Sequence, residues 1–256
     1  MGVLQNPAEW EPAKGPELPR RANVRNLPGM VMKAETLDEF ERRIQERVAA
    51  PVVQFDSAHD LSHIRRVVRA AKDIARREGG ALEVVIPAAW LHDLVVVPKS
   101  SPDRGRASQL SAEAAIALLR EIEYPEKWLA PIAHAIAAHS FSAGIEPETL
   151  EARIVQDADR LDALGAIGLA RCFATAGALG TALYCETDPF AAARDLDDRR
   201  WALDHLPKKL LRVADSMRTV VGASLARERA EFLRSFLREL ARELPEVPGG
   251  DESQPP

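Results

Sequence analysis

The sequence predicts an all-α fold, a single bundle of helices between two polar tails. Two observations carry that reading. Between the tails apolar residues recur every three or four positions, and no segment alternates convincingly with a period of two. The interruptions are short stretches rich in Pro, Gly and Ser, the punctuation of a helical chain.

Residues 1–34 carry Pro7, Pro12, Pro16, Pro19 and Pro28 with little apolar periodicity, and are expected to form a flexible tail. The folded domain is assigned to residues 35–243, with a second flexible tail at 244–256. In "TLDEFERRIQERVAA", Thr36 followed by Glu39 has the form of a capping box, and Leu37, Phe40, Ile44 and Val48 share one face. A second helix is expected from about Asp60 to "EGG", burying Leu61, Ile64, Val67, Val68, Ala71, Ile74 and Ala75. The third, "ALEVVIPAAWLHDL", is apolar on most sides and therefore central, with Pro87 marking a kink or a late start. "VVVPKSSPDRGRAS" reads as a loop, followed by a helix pair, "SAEAAIALLREIE" and "PEKWLAPIAHAIAAHS". "EARIVQDADRLDALGAIGLARCF" is the next helical segment, and "ETDPFAAARDLDDRR" is a loop. "HLPKKLLRVADSMRT" and a long charged helix over roughly 219–243 complete the domain.

At 256 residues the chain can bury one large core or two small ones, and no repeat is visible. A net charge of −5 and 5% aromatics argue against a nucleic-acid polymer as partner, though a local basic pocket remains compatible with a phosphorylated small molecule. Two cysteines, Cys172 and Cys185, suit free thiols in a reducing compartment better than a disulfide framework. The first residues lack a signal-peptide core. The apolar stretch 164–184 contains Arg171 and four glycines, so a buried helix with a small-residue loop is expected there rather than a membrane span. The chain is read as cytoplasmic, and its long final helix could support a homodimer.

Six histidines fall in four short stretches. His63 sits one turn into the second helix, a position where a hydrogen-bonded core histidine is the ordinary reading. His92 and Asp93 close the apolar third helix, where a carboxylate is disfavoured both by burial and by the helix C-terminus. A divalent cation would relieve both penalties. Asp157, Asp159 and Asp162 lie in an otherwise apolar helix, with Asp159 and Asp162 near one face. Imidazoles and carboxylates together suit Mn, Mg, Co, Fe or Zn. The rival motif "HDLSH", a zinc-protease-like pair, fails because Asp60 reads as the helix cap, which leaves His59 outside the helix.

With these residues assembled, the chain resembles the HD superfamily of metal-dependent phosphohydrolases, and more closely its bacterial YedJ-like family. "AHDLSHIRRV", "AAWLHDLV", "HAIAAHSFSAGI", "EARIVQDADRLDALGAIGLAR", "GALGTALY" and "LDHLPKKLL" carry the resemblance over roughly 37–243. It implies an HD-domain bundle and one divalent cation held by His63, His92, Asp93 and Asp159. It also implies hydrolysis of a small phosphorylated substrate, a nucleotide, with pyrophosphohydrolase chemistry favoured. Asp93 would orient the attacking water, and Arg66 and Lys209 would steady phosphoryl oxygens. His139 would contact substrate or water. His134 and His139 lie about 140° apart around a helix, so they do not point at one second ion. Lys99, His205 and Lys209 are further candidates for phosphate binding. The alternative is a catalytically weak nucleotide-sensing or scaffold protein that keeps the metal site.

Overall fold

The computed structural model describes residues 34–49, 61–97 and 101–244, all within one compact unit. The expected tails, His59, the cap at Asp60, and Lys99 lie outside the described residues. The architecture is all-α: α1 (Ala34–Val48), α2 (Leu61–Glu78), α3 (Leu82–Leu91), α4 (Ala107–Glu121), α5 (Leu129–His139), α6 (Leu150–Leu161), α7 (Gly165–Leu179), α8 (Leu211–Ala214) and α9 (Val220–Glu243). Among the described residues there is no strand. One isolated parallel bridge joins Ala182 to Trp201.

α3 forms the centre, packed against α1, α2, α4, α5 and α6. Val85, Ala88, Ala89 and Leu91 are fully buried, as its continuous apolar sequence requires. Pro87 lies inside the helix without ending it. A proline has no N–H to give the carbonyl four residues back. That orphaned carbonyl, on Glu83, accepts a 2.6 Å hydrogen bond from the buried Tyr124 hydroxyl. α2 buries the expected stripe from Ile64 to Ala75, leaving only Leu61 half-buried.

Three local readings change. α1 begins before Thr36, which lies within its first turn and not at its cap. Glu39 hydrogen-bonds Arg42 instead of reaching back. The segment after Glu151 is two helices, because Gly165 turns the chain at φ +68°, a region that favours glycine, and α6 and α7 are bent by 61°. α7 is also not a buried helix: only Gly165, Gly168 and Ala176 are buried, while Ile167 and Leu179 face outward. Among the described residues no single helix is long and apolar enough to cross a membrane.

α9 is tied to the bundle at its N-terminus. Buried Asp157 accepts hydrogen bonds from the amides of Arg218 and Thr219 and from the Thr219 hydroxyl. Glu78, ending α2, accepts from Val221 N at 2.6 Å. These two carboxylates satisfy orphan amides and complement the helix dipole. Gly222 is required here, because a Cβ would collide with the Asp157 carboxylate.

Candidate metal centre and active site

Three elements bring the predicted ligands together. His63 comes from the first turn of α2, His92 and Asp93 from the end of α3, and Asp159 from the last turn of α6. His63 Nε2 lies 3.4 Å from Asp159 Oδ1 and 3.9 Å from Asp93 Oδ2. His92 Nε2 lies 3.6 Å from Asp93 Oδ2 and 3.8 Å from Asp159 Oδ1. His139, the last residue of α5, joins them with Nε2 3.5 Å from Asp93 Oδ1. Two donor groups overlap in this cluster, His63–His92–Asp159 and His92–Asp93–His139. The three imidazoles form a buried floor, and the two carboxylates, each 29% exposed, open toward solvent.

Each ring is fixed through its other nitrogen. His92 Nδ1 is 2.9 Å from the carbonyl of Ala89, and His139 Nδ1 is 2.6 Å from that of Ile136. A carbonyl can only accept, so both Nδ1 atoms carry the proton and Nε2 is the face turned into the cluster. His63 Nδ1 donates to Asp162 Oδ2 at 2.7 Å. Burial, above all, lowers the pKa of His92 and keeps it neutral. Burial opposes the charge on His139, but Asp93 outweighs it and raises that pKa.

Asp162 is the main residue whose role the sequence left open. Burial disfavours its charge, yet hydrogen bonds from His63 and Arg66 and the charge of Arg171 hold its pKa well below the carboxylate range. Arg66 Nε donates to Oδ1 at 2.6 Å and Nη2 to Oδ2 at 3.0 Å, while Nη1 reaches Ser62. Arg171 Nη1 donates to Oδ2 at 2.5 Å. Arg66 thus lies one residue back from the cluster, behind His63. Asp157 points the other way, into the α9 cap, so the three acids of α6 and its cap have three different surroundings.

Arg171 also lines a pocket of about 350 Å³ together with His205 and Lys209, beneath the small side chains of α7. His205 Nδ1 lies 2.9 Å from Asp198, which also takes Lys208 Nζ at 2.7 Å. Lys209 lies in a π-helical turn, Leu206–Leu210, a local irregularity often found at functional sites. His134 is remote from the cluster, accepting from Glu148 N. Cys172, on the pocket wall, is a free thiol whose pKa burial pushes up to about 11.

The donor set fits a divalent cation. His92 Nε2 is buried without a hydrogen-bond partner among the described residues, a costly state for a neutral imidazole lone pair unless a cation takes it.

The HD domain family profile matches residues 60–164, the span that contains all four predicted ligands. YpgQ of Bacillus subtilis is 34% identical over 209 residues, covering 80% of this chain and 94% of its own. The chain belongs to the HD-domain superfamily. Among solved HD structures, a Bacillus thuringiensis HD-superfamily hydrolase is 31% identical, with a TM-score of 0.64, covering 81% of this chain and 97% of its own. A structure of B. subtilis YpgQ in complex with ADP is 32% identical, with a TM-score of 0.61, covering 82% of this chain and 99% of its own. HD domains bind divalent metals, and the His–Asp cluster of this HD domain is where such an ion fits.

Proposed function

We propose that this protein is a metal-dependent phosphohydrolase acting on a nucleotide, cleaving a phosphoanhydride to release pyrophosphate. The close approach of His63 and His92 to both Asp93 and Asp159 carries the reading. These four residues would hold the cation, which would supply Lewis acidity on a phosphoryl oxygen and a nucleophile from water at neutral pH. Asp93, facing solvent between His92 and His139, orients the attacking water. His139 Nε2, beside Asp93 Oδ1, is placed to take or give a proton next to the reacting centre. Lys209 and Arg171 give the neighbouring pocket, which His205 also lines, the positive groups that phosphates require. Arg66 acts through Asp162, orienting His63. The ADP bound to YpgQ supports a nucleotide as ligand.

The test is release of phosphate and pyrophosphate from a panel of nucleoside mono-, di- and triphosphates, with Mn²⁺, Co²⁺ and Mg²⁺ supplied in turn. Pyrophosphate from triphosphates is the expected product. Binding of nucleotides without turnover under every metal would contradict hydrolysis and favour the sensing or scaffold alternative.

A further inference from the structure

A second cavity, of about 270 Å³, lies across the wall that carries His205 and Lys209. That wall is one segment used on both sides. Leu203, Asp204, Pro207 and Leu211 line the second cavity, and Ala202, His205, Lys209 and Leu210 line the basic pocket. The π-helical turn at Leu206–Leu210 sits in the middle of it.

The cavity is apolar over most of its surface, with Phe190, Leu196, Leu203 and Leu237 among its lining. Its charged groups are few. Asp204 is buried and satisfied: Arg194 donates to both of its oxygens, at 2.5 and 2.8 Å, and Asp197 N donates at 2.6 Å. Arg234 and Arg238, one turn apart on α9, stand on the cavity's opposite side. Both lean on Glu231, at 3.8 Å and 2.7 Å. Two guanidiniums sharing one half-exposed carboxylate leave one positive charge beside an apolar chamber, which a single anionic group would complement. The volume is at the small end for organic ligands.

We propose that this cavity binds a small amphipathic monocarboxylate, its apolar body against Phe190, Leu203 and Leu237 and its carboxylate on Arg234 and Arg238. Because the two cavities share a wall, occupancy here alters affinity in the basic pocket. Only that coupling rests on the phosphate-binding reading; the binding itself does not.

Octanoate is the probe, titrated calorimetrically into the full-length protein, with 1-octanol as the neutral control. Octanoate is expected to bind saturably, and an Arg234→Gln/Arg238→Gln variant to weaken it about tenfold or more without changing 1-octanol binding. A Leu196→Trp variant, which fills the chamber, is expected to weaken both. No saturable octanoate binding up to about 10 mM would overturn the proposal. So would octanoate binding that neither variant changes, tighter binding of 1-octanol than of octanoate, or a self-association through this face that excludes octanoate. For the coupling, pyrophosphate affinity is measured with a chelator present, and is expected to change about threefold or more at saturating octanoate. An unchanged affinity removes the coupling. Absence of pyrophosphate binding in both states, with octanoate still bound, would fail the phosphate-pocket reading as well.

Discussion

Asp162 shows how much of this site depends on a buried residue behind the predicted ligands. Its carboxylate receives His63, Arg66 and Arg171 together, so it fixes the ring of one predicted metal ligand and is shared by two arginines. Replacing it with Asn removes the charge while keeping the shape. Asp162→Asn should lower Mn²⁺ affinity by about 10–100-fold, the usual loss when a ligand's supporting carboxylate is removed. Calorimetric titration with Mn²⁺ checks this, and an unchanged affinity in a folded variant would show that His63 needs no such support. At the pocket, a hydrogen bond from Lys208, with another from His205, lowers the Asp198 pKa from 3.8 to about 2. A depressed carboxylate stabilises the fold fully above its unfolded pKa and loses that contribution as pH falls through its folded pKa. Asp198→Asn should therefore flatten the stability–pH profile between pH 3.8 and about 2, measured by urea unfolding. A slope equal to the parent's would contradict the pairing. Asp162 meets Arg66 and His63 from 96 and 99 positions away, so the sequence aimed Arg66 at phosphoryl oxygens and gave no sign of this carboxylate. Spacing shows which residues share a helix face. It cannot show which charge another helix brings to meet them.

Among elements, α2 and α3 were readable because apolar periodicity reports burial directly. The stripe from Ile64 to Ala75 and the continuous run from Val84 to Leu91 are buried as their patterns require. α7 was not readable in the same way: its composition is apolar, but its glycines and alanines serve close approach and a pocket wall more than core filling. The break before it rests on one glycine at positive φ, which no periodicity reveals. Pro87 inside α3 is tolerated through a tertiary contact, the Tyr124 hydroxyl on the Glu83 carbonyl. Tyr124→Phe removes that donor and leaves a buried carbonyl unsatisfied, so it should cost about 1–3 kcal/mol in unfolding free energy. Chemical denaturation measures it. A variant as stable as the parent would mean that α3 carries its proline without help.

For the whole molecule, the site exists only because α2, α3, α5 and α6 pack around one another. Residues separated by up to a hundred positions meet within about 4 Å, the scale at which unlike groups interact strongly. The order of His63, His92–Asp93 and Asp159 was legible in the sequence through its family resemblance. The place of His139 beside Asp93 and the part played by Arg171 emerged only from the packing. Metal content tests the central claim most directly. Protein loaded with Mn²⁺ and freed of excess by gel filtration should retain about one ion per chain, and a folded His92→Ala variant less than about a tenth of that. Full retention by His92→Ala would contradict the assignment of these side chains as the ion's ligands.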